Sequence, residues 1–557
     1  MSDALEMRSP DEVMSLARLG AAHQTRLSFL RTMLRRLTRE GWVIDRPVFE
    51  IDDKGFGTAV YRAKGPERTY SLVCFSIDLP DDMRTDRVIA VAWDTSYALF
   101  DGEPTAADIA RLRDNVPKQE AGRFTEKELV LSRANKSMRL FARVVDALAA
   151  GRQPDAVEIE EVGYLMRTTA VYGNGKLGMA DRDVIRDRAE LAGPFQAEML
   201  TVWLIRTFTV DLVEHVARAR APETAVPLEP SLRRRFGVGN ATGLGMAPFL
   251  VRHPGLTGRW AAARETALAR VRAIERASEA AKARFPQVLG LARRAVSAWV
   301  TSDPVQKAEI AALARDLELI ERRVEEGALE EDHPFDKLIC WSEWALGLEG
   351  QEYLVTLAIE PHGDLVDDLA DEMAFDEEST FRIDGGMPLG TLRQHIAKAY
   401  RWVSRHDYRT PEGQARFWYY SEDKLEPRLG ERFEEPGAEL EQPLGIGRDV
   451  QALAVAAALV NPEITVGAYL ADHPEHRHLV RRIQASAALP YAEIHDNVLG
   501  ARMRPVDILR WKLAFFGATR FDPRSDRWLR ITLFQGAPFP EELQAMKSEN
   551  WVYGAAA

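Results

Sequence analysis

Two glycine-rich stretches carry polar side chains at positions suited to holding a small anion. Residues 172–180 read YGNGKLGMA, and residues 237–247 read GVGNATGLGMA. Glycines permit close approach of the backbone to a ligand, and amide, hydroxyl and ammonium groups can bind carboxylate or phosphate oxygens. We predict that four residues of these stretches bind the substrate: Asn174, Lys176, Asn240 and Thr242. The alternative is that both stretches are turns between helices, with small residues that serve packing.

Residues 416–432, RFWYYSEDKLEPRLGER, combine aromatic, acidic and basic side chains in one short segment. An ammonium group lowers the pKa of a neighbouring phenol, so Tyr420 and Lys424 form a candidate catalytic acid–base pair. Arg428 follows four residues later and is predicted to bind an anionic substrate. The alternative is an amphipathic surface turn whose charges pair with one another.

His495 and Asp496 form a second candidate for catalytic proton transfer. An imidazole beside a carboxylate can act as a general base near neutral pH, because the pKa of histidine lies close to 7. Arg502 lies in the helix predicted to follow, where it would hold an anionic substrate. The alternative is a histidine that merely caps this helix.

Residues 472–478, DHPEHRH, concentrate three imidazoles in one short segment. His473, His476 and His478 have the donor chemistry of a site for zinc or another transition metal. A proline and alternating charges favour an exposed loop instead, and a helical ligand pair would prefer a spacing of four residues. We therefore predict no metal here and keep a metal-dependent hydrolase as a lesser alternative.

The stretch 360–378 contains nine acids and neither lysine nor arginine. Clustered carboxylates can bind magnesium or calcium, but the spacing of a calcium-binding EF-hand loop is missing. A solvated acidic face is the favoured interpretation. The stretch equally suits docking against an arginine-rich surface, such as the helix predicted at 259–294, within the chain or in a partner subunit.

Composition narrows the class of protein further. The 557 residues carry a formal net charge of −12, which disfavours nucleic acid and anionic membranes as partners. The two cysteines, Cys74 and Cys340, lie too far apart in sequence for a CxxC motif and fit a reducing cytoplasm. The sequence contains no phosphate-binding GxxxxGK[ST] loop, no serine-nucleophile elbow and no HExxH motif, so we predict no nucleotide-fold cofactor.

The helices and strands that would position these residues can be predicted from the spacing of apolar residues along the sequence. A helix is predicted over 11–40, and strands over 42–51, 57–63, 70–77 and 88–93. From 105 to 330 the pattern is almost wholly helical. It includes a buried helix at 199–216 and a helix at 259–299 that pairs with a heptad-patterned helix at 304–324.

A second strand-like region, at 353–359 and 380–383, resembles the first. At one constant offset, five residues match five others: Tyr70, Asp81, Ser96, Asp101 and Gly102 against Tyr353, Asp364, Ser379, Asp384 and Gly385. Such agreement indicates an internal duplication, although strand patterns also resemble one another by chance.

Together these patterns predict an α+β fold that is predominantly α-helical. It has two small, mainly antiparallel sheets, a large helical body and a long antiparallel helical hairpin. The predicted domains are a helix with a small sheet (1–115), a helical domain with the Gly-Asn loops (116–258) and the hairpin (259–330). A second α/β-like half that repeats 55–133 (331–440) and a mainly helical region (441–557) follow.

The leading functional hypothesis is a cytosolic enzyme that acts on a small, carboxylate-bearing metabolite by general acid–base chemistry without a cofactor, as a lyase or hydrolase. The Gly-Asn loops, the 416–432 segment and the His495 region would meet at its site. The main alternative is a non-catalytic assembly protein with acidic and arginine-rich helical surfaces. The heptad-patterned helix also suits a homodimer interface.

Overall fold

A computed structural model describes most of the chain. The described residues are 5–83, 92–118, 124–173, 182–185, 187–240, 254–373, 382–410, 418–421, 424–429, 446–495, 505–518, 520–522 and 530–554. All structural statements below refer to these residues.

One curled, mixed sheet of nine strands dominates the described β-structure. Its first six strands form an antiparallel meander: β1 (Val43–Ile51), β2 (Gly57–Lys64), β3 (Thr69–Ser76), β4 (Thr95–Asp101), β5 (Glu128–Lys136) and β6 (Tyr164–Gly173). Strand β7 (Gly237–Asn240) runs parallel to β6. Two strands complete the far edge, where β11 (Arg530–Leu533) pairs with β7 and with β10 (Arg520–Asp522).

The central helix, Gln196–Arg220, packs against strands β2 to β7. It is apolar on nearly every face, which is typical of a helix enclosed on all sides. The Phe208 ring meets the rings of Tyr61 and Tyr97 edge-on, with centroids 6.2 Å and 5.8 Å apart. The sequence-based prediction of a buried helix at 199–216 is confirmed.

The remaining α-helices surround this core. They are Pro10–Val13, Leu16–Ala21, Phe29–Arg39, Ala106–Asn115, Phe141–Ala149, Ala156–Val162, Arg182–Ile185, Pro230–Arg234, Pro254–Arg272, Glu279–Ser297, Pro304–Glu325, Pro334–Ala345, Leu348–Ile359, Gly363–Val366, Leu369–Glu372, Leu389–Ala399, Ile446–Ala458, Val466–Asp472, Arg477–Ala488 and Pro505–Phe516. Four of them, from Leu389 to Ala399 and from Ile446 to Ala488, enclose a second and smaller hydrophobic core.

The prediction of two small sheets was wrong. Residues 353–359, predicted as a strand, lie in the helix Leu348–Ile359, every residue of which is buried from Gly350 onward. A short apolar run that is buried on all sides has the same pattern in a strand and in a helix, so the periodicity could not distinguish them. Among the described residues, those that match strand β3 in the proposed duplication of 55–133 in 331–440 are therefore helical, and this part of the repeat is not present in the fold.

The helical body at 105–330 was also overestimated, since β5, β6 and β7 all fall within it. The predicted helix 11–40 is divided into three shorter helices, and the predicted helix 259–299 is interrupted at 273–278. The helical hairpin consists of Glu279–Ser297 and Pro304–Glu325, and the side chain of Asp303 caps the second helix, which has Pro304 in its first turn. The predicted domain boundaries remain predictions, although strands from three of the five segments share the large sheet.

The acidic stretch docks on arginines of the same chain, one of the two possibilities left open by the sequence. Asp368 accepts a hydrogen bond of 2.7 Å from Arg270, and Asp367 accepts one of 2.7 Å from Arg26. This statement covers the stretch up to residue 373. In the described part of the chain, no helix is both long enough and apolar enough to cross a bilayer.

Candidate functional site

Most of the predicted site residues lie outside the described residues or are described by their backbone alone. Five lie outside the described residues: Asn174, Lys176, Thr242, Asp496 and Arg502. Four more are described by their backbone alone: Asn240 in β7, Tyr420 in β8 (Trp418–Ser421), and Lys424 and Arg428 in β9 (Lys424–Leu429). Strands β8 and β9 form a separate antiparallel hairpin, in which Arg428 lies opposite Tyr419. That these residues share one site stays a prediction.

The second glycine-rich stretch begins as a strand rather than a turn between helices. A Cβ atom at Gly237 would lie 2.4 Å from the carbonyl oxygen of Leu533, and one at Gly239 would lie 2.7 Å from the ring of Tyr164. Both glycines therefore permit close packing inside the sheet, next to strands β11 and β6. These two glycines thus serve packing, and the predicted ligand-binding role of the stretch rests on Asn240 and the residues after it.

His495 is buried and contacts residues from two distant parts of the chain. Its ring stacks on Trp402, with centroids 5.7 Å apart and planes 9° from parallel. Its Nδ1 lies 3.3 Å from Oδ1 of Asp11, and its backbone N–H donates to the carbonyl of Met14 at 3.0 Å. In the described residues its carboxylate neighbour is Asp11 of the N-terminal segment, whereas the predicted pairing with Asp496 stays a prediction.

A different histidine lies at the junction of several helices. His23 follows the helix Leu16–Ala21, and its Nε2 lies 2.9 Å from Oε1 of Glu349. The same carboxylate oxygen accepts a hydrogen bond from the guanidinium of Arg510 in the helix Pro505–Phe516. The ring of Tyr353 lies 4.1 Å from the imidazole, and the ring of Trp299 is stacked nearly parallel at 6.5 Å. We refer to His23, Glu349, Tyr353 and Arg510 as the His23 centre.

The His23 centre is deep in the protein yet keeps some accessible surface. The side chains of His23 and Glu349 are each 15% exposed, and that of Arg510 is 10% exposed. Each of these three side chains therefore keeps a small part of its surface accessible to solvent. Burial, and next to it the positive charge of Arg510, hold the pKa of His23 well below its usual value. The imidazole is consequently neutral at pH 7.

A buried charge cluster lies beside the His23 centre on the same helix. Glu352 is one turn from Glu349, and its carboxylate is fully enclosed. Arg8 and Arg18 donate to its Oε1 at 2.8 Å and 2.7 Å, and Arg264 donates to its Oε2. The guanidinium of Arg8 also binds both carboxylate oxygens of Glu265, at 2.8 Å and 2.7 Å. We refer to Arg8, Arg18, Arg264, Glu265 and Glu352 as the Glu352 cluster.

The Glu352 cluster holds in place the N-terminal segment that carries His23. Its residues come from the N-terminal segment and from the helices Pro254–Arg272 and Leu348–Ile359. Arg8 binds two buried carboxylates at once, so the N-terminal segment that leads to His23 cannot shift without breaking buried ion pairs. The hydroxyl of Thr356, one turn beyond Glu352, also donates to the backbone carbonyl of His23 at 3.4 Å.

Sequence reasoning missed the His23 centre because it treated 353–359 as a strand. In a strand, neighbouring side chains point to opposite faces, whereas residues three and four apart share one face of a helix. Read as a helix, the sequence places Glu349, Glu352 and Tyr353 on one face. His23 and Arg510 follow no motif, so their convergence on this face could come only from the tertiary structure.

The histidine-rich segment 472–478 forms a tight turn at the surface of the smaller core. His473 and His476 approach each other there together with Glu475. His478 lies exposed in the following helix and outside this group. Two of the three predicted imidazoles thus come together, and a glutamate takes the place of the third.

Comparisons with known proteins give no relative for this chain. No protein-family model matches it, and neither the curated proteins nor the solved structures compared with it gave a match. The functional argument therefore depends on the residues alone.

Proposed function

We propose that this protein is a cytosolic enzyme that moves protons on a small anionic metabolite, with His23 as the general base. The observation that carries the proposal is the contact of His23 Nε2 with Glu349 Oε1 at 2.9 Å beside the Arg510 guanidinium. An imidazole oriented by a carboxylate is a common arrangement for general acid–base catalysis. Tyr420 and His495 also stay candidates for catalytic proton transfer, and their roles stay predictions.

The protonation of the imidazole supports this role. A neutral imidazole that donates its Nε2 hydrogen to Glu349 keeps a lone pair on Nδ1, and that lone pair can accept a proton from a substrate. Glu349 stabilises the imidazolium that would result. The rings of Tyr353 and Trp299, with centroids 4.1 Å and 6.5 Å from that of the imidazole, add apolar surface beside it.

Arg510 supplies the positive charge for an anionic substrate. Its second carboxylate contact is long, since Nη1 lies 3.7 Å from Oε2 of Glu309, whose side chain is 37% exposed. A substrate carboxylate could replace Glu309 at the guanidinium while Glu349 stays in place. Arginine suits this task because its planar guanidinium binds a carboxylate through two parallel hydrogen bonds.

Proton exchange tests the proposal for any reaction that begins with removal of a proton from carbon. The purified protein is incubated in D₂O with a panel of small mono- and dicarboxylates, and loss of substrate C–H signals is followed by proton NMR. We expect exchange on at least one compound, a loss of about 100-fold or more in His23→Gln, and weaker saturation in Arg510→Gln. His478→Gln, at an exposed histidine, is the matched control.

The same panel separates the enzyme from the assembly protein. An enzyme of this kind shows both exchange and a thermal shift with the active compound. If no compound is exchanged or shifts the melting temperature, the His23 centre is a structural ion-pair site and the proposal fails. The assembly hypothesis already has less support, because the described part of the acidic stretch is engaged by arginines of its own chain. The homodimer stays a prediction.

A further inference from the structure

The turn between the helices Val466–Asp472 and Arg477–Ala488 brings together three side chains that bind transition metals. His473 follows the first helix directly, and Pro474 starts a single 3₁₀ turn, Pro474–His476. One potential ligand atom from each of His473, Glu475 and His476 lies within 4.8 Å of the other two. The turn is rigidly placed, because both helices contribute to the smaller hydrophobic core.

The two imidazoles lie next to each other on the turn, close enough to bind the same ion after rotation of their side chains. Their rings are stacked with centroids 5.6 Å apart and planes 20° from parallel. Nδ1 of His473 lies 3.2 Å from Oε1 of Glu475. Tetrahedral zinc, with bonds of about 2.1 Å, places its ligand atoms about 3.4 Å apart, so small side-chain rotations suffice to close this group around an ion.

The buried Tyr469 contacts both histidines and orients the ring of His476. Its ring is buried and lies 4.6 Å from the ring of His473 and 5.8 Å from that of His476. Its hydroxyl oxygen lies 2.9 Å from Nδ1 of His476. When Nδ1–H donates to this oxygen, the lone pair of His476 is on Nε2 and is available to an ion. Metal-binding histidines characteristically have such a partner on the other ring nitrogen.

We propose that His473, Glu475 and His476 form a binding site for a divalent transition-metal ion of the zinc type. Two imidazoles and one carboxylate fit the ligand preference of Zn²⁺, and water would complete the coordination at this solvent-exposed turn. A bound ion would tie the end of one helix to the start of the next across the smaller core. The site is separate from the His23 centre, so its existence does not depend on the proposed function.

Zinc titration of the full chain tests the site. Protein without an affinity tag is stripped with a chelator and titrated with Zn²⁺ by isothermal calorimetry. We expect one equivalent to bind, and His473→Ala and His476→Ala to weaken binding by at least about tenfold. His478→Ala is the matched control, since this histidine lies only two residues further along and outside the group. It should bind zinc as the wild type does.

Further measurements distinguish a built site from loose association. Binding of Zn²⁺ should raise the melting temperature of the wild type and of His478→Ala, but not of the double variant His473→Ala/His476→Ala. Tyr469→Phe, with its folding checked by circular dichroism, should weaken binding about tenfold through loss of the hydroxyl partner. Several weak equivalents, or equal loss in His478→Ala and His473→Ala, would overturn the proposal. Zinc binding and proton exchange are measured independently, so either proposal can fail without the other.

Discussion

At the scale of single residues, Glu352 illustrates how the protein tolerates charge in its interior. Burial alone would raise the pKa of this carboxyl group, but the guanidiniums of Arg8, Arg264 and Arg18 hold it well below its usual value. The carboxylate is therefore ionised at neutral pH. Its negative charge is needed, because the three guanidiniums would otherwise repel one another in a poorly solvated space.

Replacing Glu352 with glutamine should therefore be costly although the shape is conserved. Glu352→Gln leaves buried guanidiniums without their common counter-charge, and loss of one partner from such a network costs about 3–5 kcal/mol. We expect a decrease of that size in the free energy of unfolding, measured by urea denaturation. Glu223→Gln, at an exposed glutamate, should stay within about 0.5 kcal/mol of the wild type. Equal stability of the two variants would contradict the network.

The lowered pKa of His23 predicts how stability depends on pH. In the unfolded chain the imidazole takes up a proton near pH 6.5, whereas in the folded protein burial and Arg510 keep it neutral to lower pH. Above pH 6.5 the histidine is neutral in both states and does not make the free energy of unfolding depend on pH. Below pH 6.5 only the unfolded state takes up the proton, so the free energy of unfolding decreases as the pH falls. We expect His23→Gln to lose less stability than the wild type between pH 7.5 and pH 5.5, measured by urea denaturation at both. His478→Gln should lose as much as the wild type.

At the scale of elements, Arg206 anchors the central helix to the far edge of the sheet. Its guanidinium is fully buried and donates to the carbonyls of Phe236 at 2.6 Å and Ala537 at 2.8 Å, of which the first precedes β7 and the second follows β11. It also stacks over the ring of Phe539, 3.9 Å from the centroid. Burial lowers the pKa of Arg206 to about 9, since carbonyl oxygens rather than a carboxylate surround it.

Removing this guanidinium should loosen the edge of the sheet. Arg206→Met keeps most of the volume but leaves buried carbonyls without a donor, at about 1–3 kcal/mol for each unsatisfied group. We expect the free energy of unfolding to fall by at least about 2 kcal/mol, with loss of amide-exchange protection concentrated in β7 and β11. Arg220→Met, at the exposed end of the same helix, is the matched control, because its ion pair with Asp146 is exposed. A uniform loss of protection across the sheet would contradict the anchoring role.

The elements that the sequence predicted correctly are those specified by local chemistry. Strands β1 to β3 are rich in β-branched and aromatic residues and are separated by turn residues, and the hairpin helix at Pro304 begins with its own cap. Strand β7 and the helix Leu348–Ile359 depend instead on their neighbours: β7 is stabilised by β6 and β11, and the helix by packing on all sides. The His23 centre shares this dependence, because His23 and Arg510 lie 326 and 161 positions from Glu349 and meet it only in the folded protein.

At the scale of the whole molecule, the two ends of the chain are joined by buried ion pairs. Arg31 binds Glu360 through two hydrogen bonds of 2.8 Å and 2.6 Å, and its Nε donates to Glu549 at 2.6 Å. Arg35 contacts the same Glu549 at 2.9 Å. The N-terminal helix Phe29–Arg39 is thereby connected both to the acidic stretch and to the C-terminal segment, so the three regions are expected to unfold together.

Glu549 makes this junction sensitive to acid. Burial would raise the pKa of its carboxyl group, but Arg31, Arg35 and Arg26 lower it to about 2 from an ordinary value of 4.5. Such a carboxylate contributes stability that is fully present above pH 4.5 and is lost as the pH falls from there towards 2, by about 3 kcal/mol in total. We expect the wild type to lose stability steeply in this range, measured by urea denaturation at fixed pH steps.

Glu549→Gln should already be less stable than the wild type at pH 7, and its stability should depend less on pH in the acid range. If the acid dependence of Glu549→Gln matches that of the wild type, the ends of the chain are held together by packing alone. Glu223→Gln, which leaves the junction intact, should follow the wild type throughout.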